Sequence, residues 1–469
     1  MASGLPIIPL QTLLDKHLQS VIAFEITCTG KPTWATCFLL DNKDDTEAEP
    51  DPKLLKVRTE DHDSHEALKR LIPEYLLLNH ENSWLLKRVQ KNHVVVSTKS
   101  GTGQASKFYD SILKPLLDHF GFEEGHNYVL HETKSADTIK LLAENGILHD
   151  SARGIEQNII LLSGDGGISD IINGLLKDGL PINKQSWVPP VISLIPLGTG
   201  NALANSSGII GPNDNIDLDN LLAMSFFANV IVIDPGPKEF NSDANPLIVC
   251  ARLLTNEGTE LAPLPADNEN TSNHSVIYGA VVCSWGLHAT LVADSDSQEW
   301  RKLGDSRFEA VAKNLLDSPH IYRGLLQIQK FADVGKQTHA IEGNEPLSID
   351  EHGYLLATFC SKLDAKFRVS PQSRPLDGRL MLVHFGPKND PQEIWRLLGY
   401  GDGLADGDPA VTYREVDAFN LRFDEDDKRW RRICVDGHII QVEKGSQILC
   451  HKLDNSFDVV QLRMMNEDG

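Results

Sequence analysis

A chain of 469 residues is long enough for two or three hydrophobic cores, and 41% apolar with 23% charged residues is ordinary globular composition. Its 44 basic and 66 acidic residues give a net charge of -22, which excludes nucleic acid as a partner and purely electrostatic adhesion to anionic membranes. No apolar run spans a bilayer, Met1–Pro6 has neither a basic-then-apolar signal pattern nor a glycine at position two, and the seven cysteines (Cys28, Cys37, Cys250, Cys283, Cys360, Cys434, Cys450) lack metal-like spacing, so a cytoplasmic protein with reduced thiols is expected.

Residues 1–92 read as an accessory β-rich segment. Val21–Ile26 and Ala35–Leu40 are strand-like, and the acidic, turn-rich stretch Asp41–Asp51 comes directly after them. From His93 the pattern becomes strand–helix alternation. Val94–Val96 leads into the loop Ser97-Thr98-Lys99-Ser100-Gly101-Thr102-Gly103, then a helical stretch with Phe108, Ile112, Leu116 and Phe120 on one face and Pro115 interrupting it.

The apolar run Ile159–Leu162 then enters Ser163-Gly164-Asp165-Gly166-Gly167, and Val191–Ile195 enters Pro196-Leu197-Gly198-Thr199-Gly200-Asn201. Two buried-type strands, each ending in a glycine turn that opens a helix, are how a parallel sheet builds a phosphate site at its carboxyl edge. Between the turns, Ile168, Ile171, Ile172 and Leu175 form an apolar stripe at helical spacing, with Asp170 and Asn173 on another face. Asp165, set among the glycines, points to phosphoryl transfer, where an acid need only orient an acceptor hydroxyl and take its proton.

After Pro235, residues Glu239 to Asn273 are crowded with Asn, Asp, Glu and Pro and read as long surface loops. Strand-like runs come next at Val276–Ser284, Tyr354–Cys360, Leu380–Phe385, Ile433–Val435 and Ile439–Val442, with helical patterns only at Trp300–Leu316 and Asp390–Leu398. The fold class expected is α/β plus β: an open α/β domain over 93–234, then a mostly antiparallel β-sandwich domain over 235–469.

These motifs resemble lipid kinases of the diacylglycerol-kinase catalytic-domain family, and within them the sphingoid-base (sphingosine) kinases. The resemblance rests on Ser163-Gly164-Asp165-Gly166 with Asp170 and Asn173-Gly174-Leu175, on Gly198-Thr199-Gly200-Asn201-Ala202-Leu203-Ala204, on Trp300-Arg301-Lys302-Leu303-Gly304-Asp305-Ser306-Arg307-Phe308, and on Leu376-Asp377-Gly378-Arg379-Leu380 and Val435-Asp436-Gly437. It covers His93 to the C-terminus. It implies an ATP- and Mg2+-dependent kinase acting on a primary hydroxyl of a long-chain amphiphile, with ATP between the domains, the lipid tail in the β-rich domain, and transient peripheral membrane contact. Three departures stand out, one of them the short spacing from Thr133, the match for the family's threonine, to Ala136. The first loop begins Ser97-Thr98 where the family has Asn-Pro, and Asp436-Gly437-His438 stands where the family has Asp-Gly-Glu.

Carried over residue by residue, the resemblance makes Asp165 the catalytic residue, the carboxylate that takes the acceptor's proton. It assigns Ser97, Lys99, Ser100, Gly101, Gly103, Thr133, Gly164, Gly166, Gly167, Gly198, Thr199, Gly200, Asn201, Arg301, Arg307, Asp436, Gly437 and His438 to the nucleotide. Asp294 is expected either in a solvated acidic turn or as the clamp of an ammonium head group. Asp170 either satisfies the first turn of its helix or meets the substrate, and Asp377 either holds a β turn or joins a magnesium shell.

Overall fold

The computed structural model describes residues 7–9, 21–28, 33–40, 52–59, 77–78, 90–101, 103–119, 122–177, 186–206, 249–254, 276–297, 299–303, 306–329, 348–364, 367–373, 379–398, 408–452 and 461–462. The loops expected over Glu239–Asn273 lie almost entirely outside them, as does Asp377.

The described strands form four sheets. The first, within the N-terminal segment, contains Ile7–Pro9, Val21–Cys28, Thr33–Leu40, Pro52–Thr59 and Leu77–Leu78. The second is wholly parallel, with spatial order Gln461–Leu462, Val191–Pro196, Gln157–Ser163, Lys91–Val96, Val129–Glu132. Its central strand Gln157–Ser163 is buried at every position, as a strand covered on both faces must be. The expected stripe is the main cover of one face: Ile168, Ile171, Ile172 and Leu175 are all fully buried against Val95, Ile159 and Leu161. Each such side chain contributes about 1.5–3 kcal/mol of burial.

The helix after the first loop departs from a simple repeat. Ala105–Phe108 and Lys114–His119 flank a wide π turn at Tyr109–Leu113, and the buried face after Phe108 continues at Leu113 and Leu117. Pro115, which has no N–H to give, comes directly after the widened turn. The side chains of Ile112, Leu116 and Phe120, expected on that face, lie outside the described residues.

Two six-stranded antiparallel sheets make the β-rich region. One has the order Val276–Gly279, Val249–Leu254, Gln447–Lys452, Ala418–Phe423, Tyr322–Gln329, Ser348–His352. The other has the order Thr412–Val416, Leu380–Phe385, Tyr354–Thr358, Val282–Gly286, Arg432–Val435, His438–Gln441. Their inner faces share one core, with Trp285, Tyr354, Phe385, Phe419 and Phe423 as its largest buried side chains.

The run expected as a single strand over Val276–Ser284 is two strands in two sheets, Val276–Gly279 and Val282–Gly286. The chain changes sheets at Ala280-Val281, and the amides freed there are taken by a side chain. The Asp436 carboxylate accepts from the N–H groups of Ala280 at 2.6 Å, Val281 at 3.0 Å and Val282 at 2.7 Å. The region also holds a helix that periodicity did not reveal, Leu287–Ser295. Its Leu287, Ala289, Leu291, Val292 and Ala293 leave no polar face to mark it. The Trp300–Leu316 pattern resolves into a short 3-10 turn, Trp300–Leu303, and a helix, Ser306–Leu316. Pro391–Leu398 starts on proline, with Asp390 accepting from the Gln392 N–H.

Candidate active site

The two glycine turns lie side by side because strands Gln157–Ser163 and Val191–Pro196 are neighbours in register. They touch through bare backbone. A Cβ on Gly198 would fall 2.4 Å from Gly164 Cα, closer than atoms can approach, so both positions need glycine for packing. Asn201 locks the second turn: its Nδ2 donates to the carbonyls of Pro196 and Gly198, and its Oδ1 accepts from the Gly198 N–H. Ser100 reaches in from the first loop, its Oγ accepting from the Gly164 N–H at 3.1 Å.

Gly164 caps the helix Asp165–Leu175, so Asp165 and Gly166 open it with their amides at the sheet edge. The Asp165 carboxylate accepts from the backbone N–H groups of Ala202 at 2.6 Å and Leu203 at 3.1 Å. Burial raises its proton affinity above that of an ordinary aspartate, opposed by those two donors. The result is a carboxylate fixed in orientation at the edge where the two turns meet.

A cavity of about 350 Å³ opens on this edge. One side is lined by Ser100, Gly101, Gly164, Asp165, Gly166, Gly198, Thr199, Gly200 and Asn201. The opposite wall is almost wholly apolar, with Leu287, Leu291 and Val292 from one helix, Phe308 and Ala312 from the next, and Tyr354, Phe367 and Leu398. Phosphate-type backbone and a greasy wall therefore share one space.

Asp436 and Gly437 also line the cavity. They form the two-residue turn between Arg432–Val435 and His438–Gln441, with φ of 47° and 88°. Asp-Gly is the sequence that such a left-handed hairpin turn favours. The Asp436 carboxylate is turned back onto the Ala280–Val282 amides, and burial pushes it up to about 7 against their pull.

Other expected site residues stand elsewhere. Thr133 fastens the first loop: its Oγ1 accepts from the Thr98 N–H at 2.9 Å, and its carbonyl accepts from the Thr98 hydroxyl at 3.0 Å. Ser97 continues the sheet through its N–H to Leu162 O. Gly167 packs on the Ser163 side chain. Lys99 and Gly103 are exposed and do not line the cavity. The Arg307 guanidinium lies over the Phe308 ring, 4.5 Å from its centroid, and the Arg301 side chain lies outside the described residues.

Asp294 is held by two arginines. Its carboxylate is bridged by Arg429 at 2.8 Å and Arg432 at 2.7 Å, away from the cavity lining. Asp170 and His438 face each other, Nε2 to Oδ1 at 3.6 Å. Burial pushes Asp170 up to about 7 and His438 down, so each is driven toward its neutral form. Asn173, one turn along the same helix, pairs with the backbone of Tyr278 across the domain boundary, donating to its carbonyl at 2.7 Å and accepting from its N–H at 3.0 Å.

Residues 91–225 match the family model of the diacylglycerol kinase catalytic domain. That stretch is similar to the diacylglycerol kinase catalytic domain. The match begins at the first parallel strand and takes in both glycine turns and Asp165. Over 257 residues the chain is 26% identical to sphingosine kinase 1 of Rattus norvegicus, covering 55% of this chain and 56% of that protein. Over 247 residues it is 25% identical to sphingosine kinase 1 of Homo sapiens, covering 53% and 54%. The aligned part thus spans a little over half the length of these curated relatives. A solved diacylglycerol kinase structure from Bacillus anthracis str. Sterne is similar with a TM-score of 0.44 at 13% identity, covering 81% of this chain and 98% of that one.

Among the described residues, no three His, Cys, Asp or Glu side chains group as a ready-made metal site. No helix among them is long and apolar enough to cross a membrane. The glycine turns and Asp165 carried clear sequence signals. The apolar wall did not, because its residues come from separate helices and strands that only packing brings together.

Proposed function

We propose that the chain is an ATP-dependent lipid kinase that phosphorylates a primary hydroxyl of a sphingoid long-chain base, working in the cytoplasm with peripheral membrane contact. The observation that carries this reading is a cavity that joins the glycine turns and Asp165 to an apolar wall. ATP supplies the transferable phosphoryl group, and Mg2+ would come with the triphosphate.

The chain's own residues do the rest. Amides at Gly164–Gly166 and Gly198–Gly200 suit anionic oxygens at a helix start. Asp165 holds the acceptor hydroxyl and takes its proton as the oxygen bonds to the γ-phosphorus and the bond to the β-phosphate oxygen breaks, releasing ADP. Leu287, Leu291, Val292 and Phe308 exclude water and seat the hydrocarbon chain.

A second acceptor class, diacylglycerol or ceramide, is favoured by one observation. Asp294 already serves two arginines, so an ammonium head group does not find a free carboxylate there. Transfer of label from ATP to a panel of sphingoid bases, ceramide and diacylglycerol tests both. Preference for a sphingoid base is expected. Preference for diacylglycerol overturns the head-group assignment, and saturable ATP binding with no lipid phosphorylated overturns the kinase.

A further inference from the structure

We propose that His288 is a specificity-determining residue, whose imidazole recognises a non-reacting hydroxyl group on the acceptor lipid. This deepens the lipid-kinase reading and rests on it for the identity of the lipid. His288 is the second residue of the helix Leu287–Ser295 and is buried on the cavity wall between Leu287 and Leu291. Its ring stands edge-on to Tyr354, with centroids 6.1 Å apart.

Packing explains an aromatic ring at this position but not a polar one, because a buried polar group in an apolar wall is unfavourable unless it is hydrogen-bonded. Among the described residues, one ring nitrogen is accounted for. Nδ1 lies 2.7 Å from Ser284 Oγ, which leaves Nε2 as the ring atom available to a ligand in the cavity. Burial pushes the imidazole down to about 4, so the ring is neutral at ordinary pH and has one donor and one acceptor nitrogen.

Whether Nδ1 donates to Ser284 or accepts from it depends on the tautomer, so Nε2 either accepts or donates. A hydroxyl is the lipid group that satisfies both cases, because it is donor and acceptor together. A carbonyl only accepts, and an ammonium only donates. A hydrocarbon chain without a hydroxyl would cover Nε2 and leave it unpaired, which weakens binding by about tenfold.

The test measures equilibrium affinity of the full chain by displacement of a fluorescent long-chain amine. Three competitors are compared: sphinganine, its analogue lacking the secondary hydroxyl, and its analogue with one further chain hydroxyl. Wild type should gain about tenfold in affinity at one step of this ladder. His288→Leu should flatten that step, and His288→Gln, which keeps a donor and an acceptor, should retain part of it. Should His288→Leu fail to fold, His288→Phe keeps the ring against Tyr354 without its nitrogens and gives the same comparison. A step that survives in His288→Leu or His288→Phe, or a wild type with no step at all, overturns the proposal. Turnover is measured separately with the same lipids. A hydroxyl preference in binding without phosphate transfer overturns the kinase reading and leaves the His288 subsite standing.

Discussion

Asp165 has a structural role in the fold and a chemical one in the proposed reaction. Its carboxylate holds the Ala202 and Leu203 amides, and burial raises its proton affinity. Asp165→Asn keeps one acceptor oxygen but sets an amide group against the second N–H. Turnover should fall roughly 10²–10⁴-fold, the range for losing a positioned base. ATP affinity, measured by calorimetry, should stay within a few-fold, because backbone amides do the cradling. Full turnover in the variant would remove Asp165 from the mechanism.

The Asp170–His438 pair makes a separate prediction, on pH and stability. Asp170 rises from an ordinary 3.8 to about 7 through burial, with Lys140 opposing. The folded state therefore binds this proton more tightly than the unfolded state. The stability it contributes is full below about pH 4 and is lost as pH rises toward 7. The difference in unfolding free energy between wild type and Asp170→Asn, measured in urea across that window, should decline steadily with pH; a flat difference refutes the linkage. His438 is pushed toward its neutral form and does not line the cavity. His438→Gln should therefore retain most turnover and the same pH–rate profile, and an acid limb lost on mutation would instead give His438 a chemical role.

At the scale of elements, the two glycine turns are governed by different constraints. Gly198 is fixed by contact with Gly164, whereas a Cβ on Gly166 meets nothing within 4 Å and would point into open space. Gly198→Val should thus lower thermal stability strongly, by about 2 kcal/mol or more for an overpacked backbone contact. Gly166→Val should cost about 1 kcal/mol or less and weaken ATP binding, because the added side chain occupies space beside the helix start. Melting curves and nucleotide titrations of both variants decide this. Equal loss of stability in the two would contradict the assignment. The alternating strands and the amphipathic helix Asp165–Leu175 were legible in the sequence. Leu287–Ser295 was not, because its polar residues His288, Thr290, Asp294 and Ser295 are interspersed among apolar ones and gather on no single face to reveal its period.

Across the whole molecule, the α/β domain and the β-rich region are joined by a polar seam rather than by apolar packing alone. Asn173 pairs with Tyr278 across that seam, while Asp436, within the β-rich region, gathers the three amides where the chain changes sheets. Tyr278 and Ala280 also enter the core beneath the Asp165–Leu175 helix. Asp436→Ala leaves three buried N–H groups without their acceptor. Urea unfolding should show a loss of about 3 kcal/mol or more, since each orphaned buried donor costs about 1–3 kcal/mol. A loss below about 1 kcal/mol would show that water or relaxation replaces the carboxylate.

The order of strands and helices around the glycine turns, the apolar stripe Ile168–Leu175 and the place of Asp165 between glycines were determined by the sequence itself. Each is a local pattern, set by side-chain period or backbone freedom within a few residues. The tertiary structure decided the rest. Asp436 accepts amides more than 150 positions away in the chain, Asp294 serves Arg429 and Arg432, and Thr133 ties down Thr98. A carboxylate or hydroxyl in sequence shows only what it can bond. Which partner it takes depends on which buried amide or guanidinium the fold leaves unsatisfied beside it.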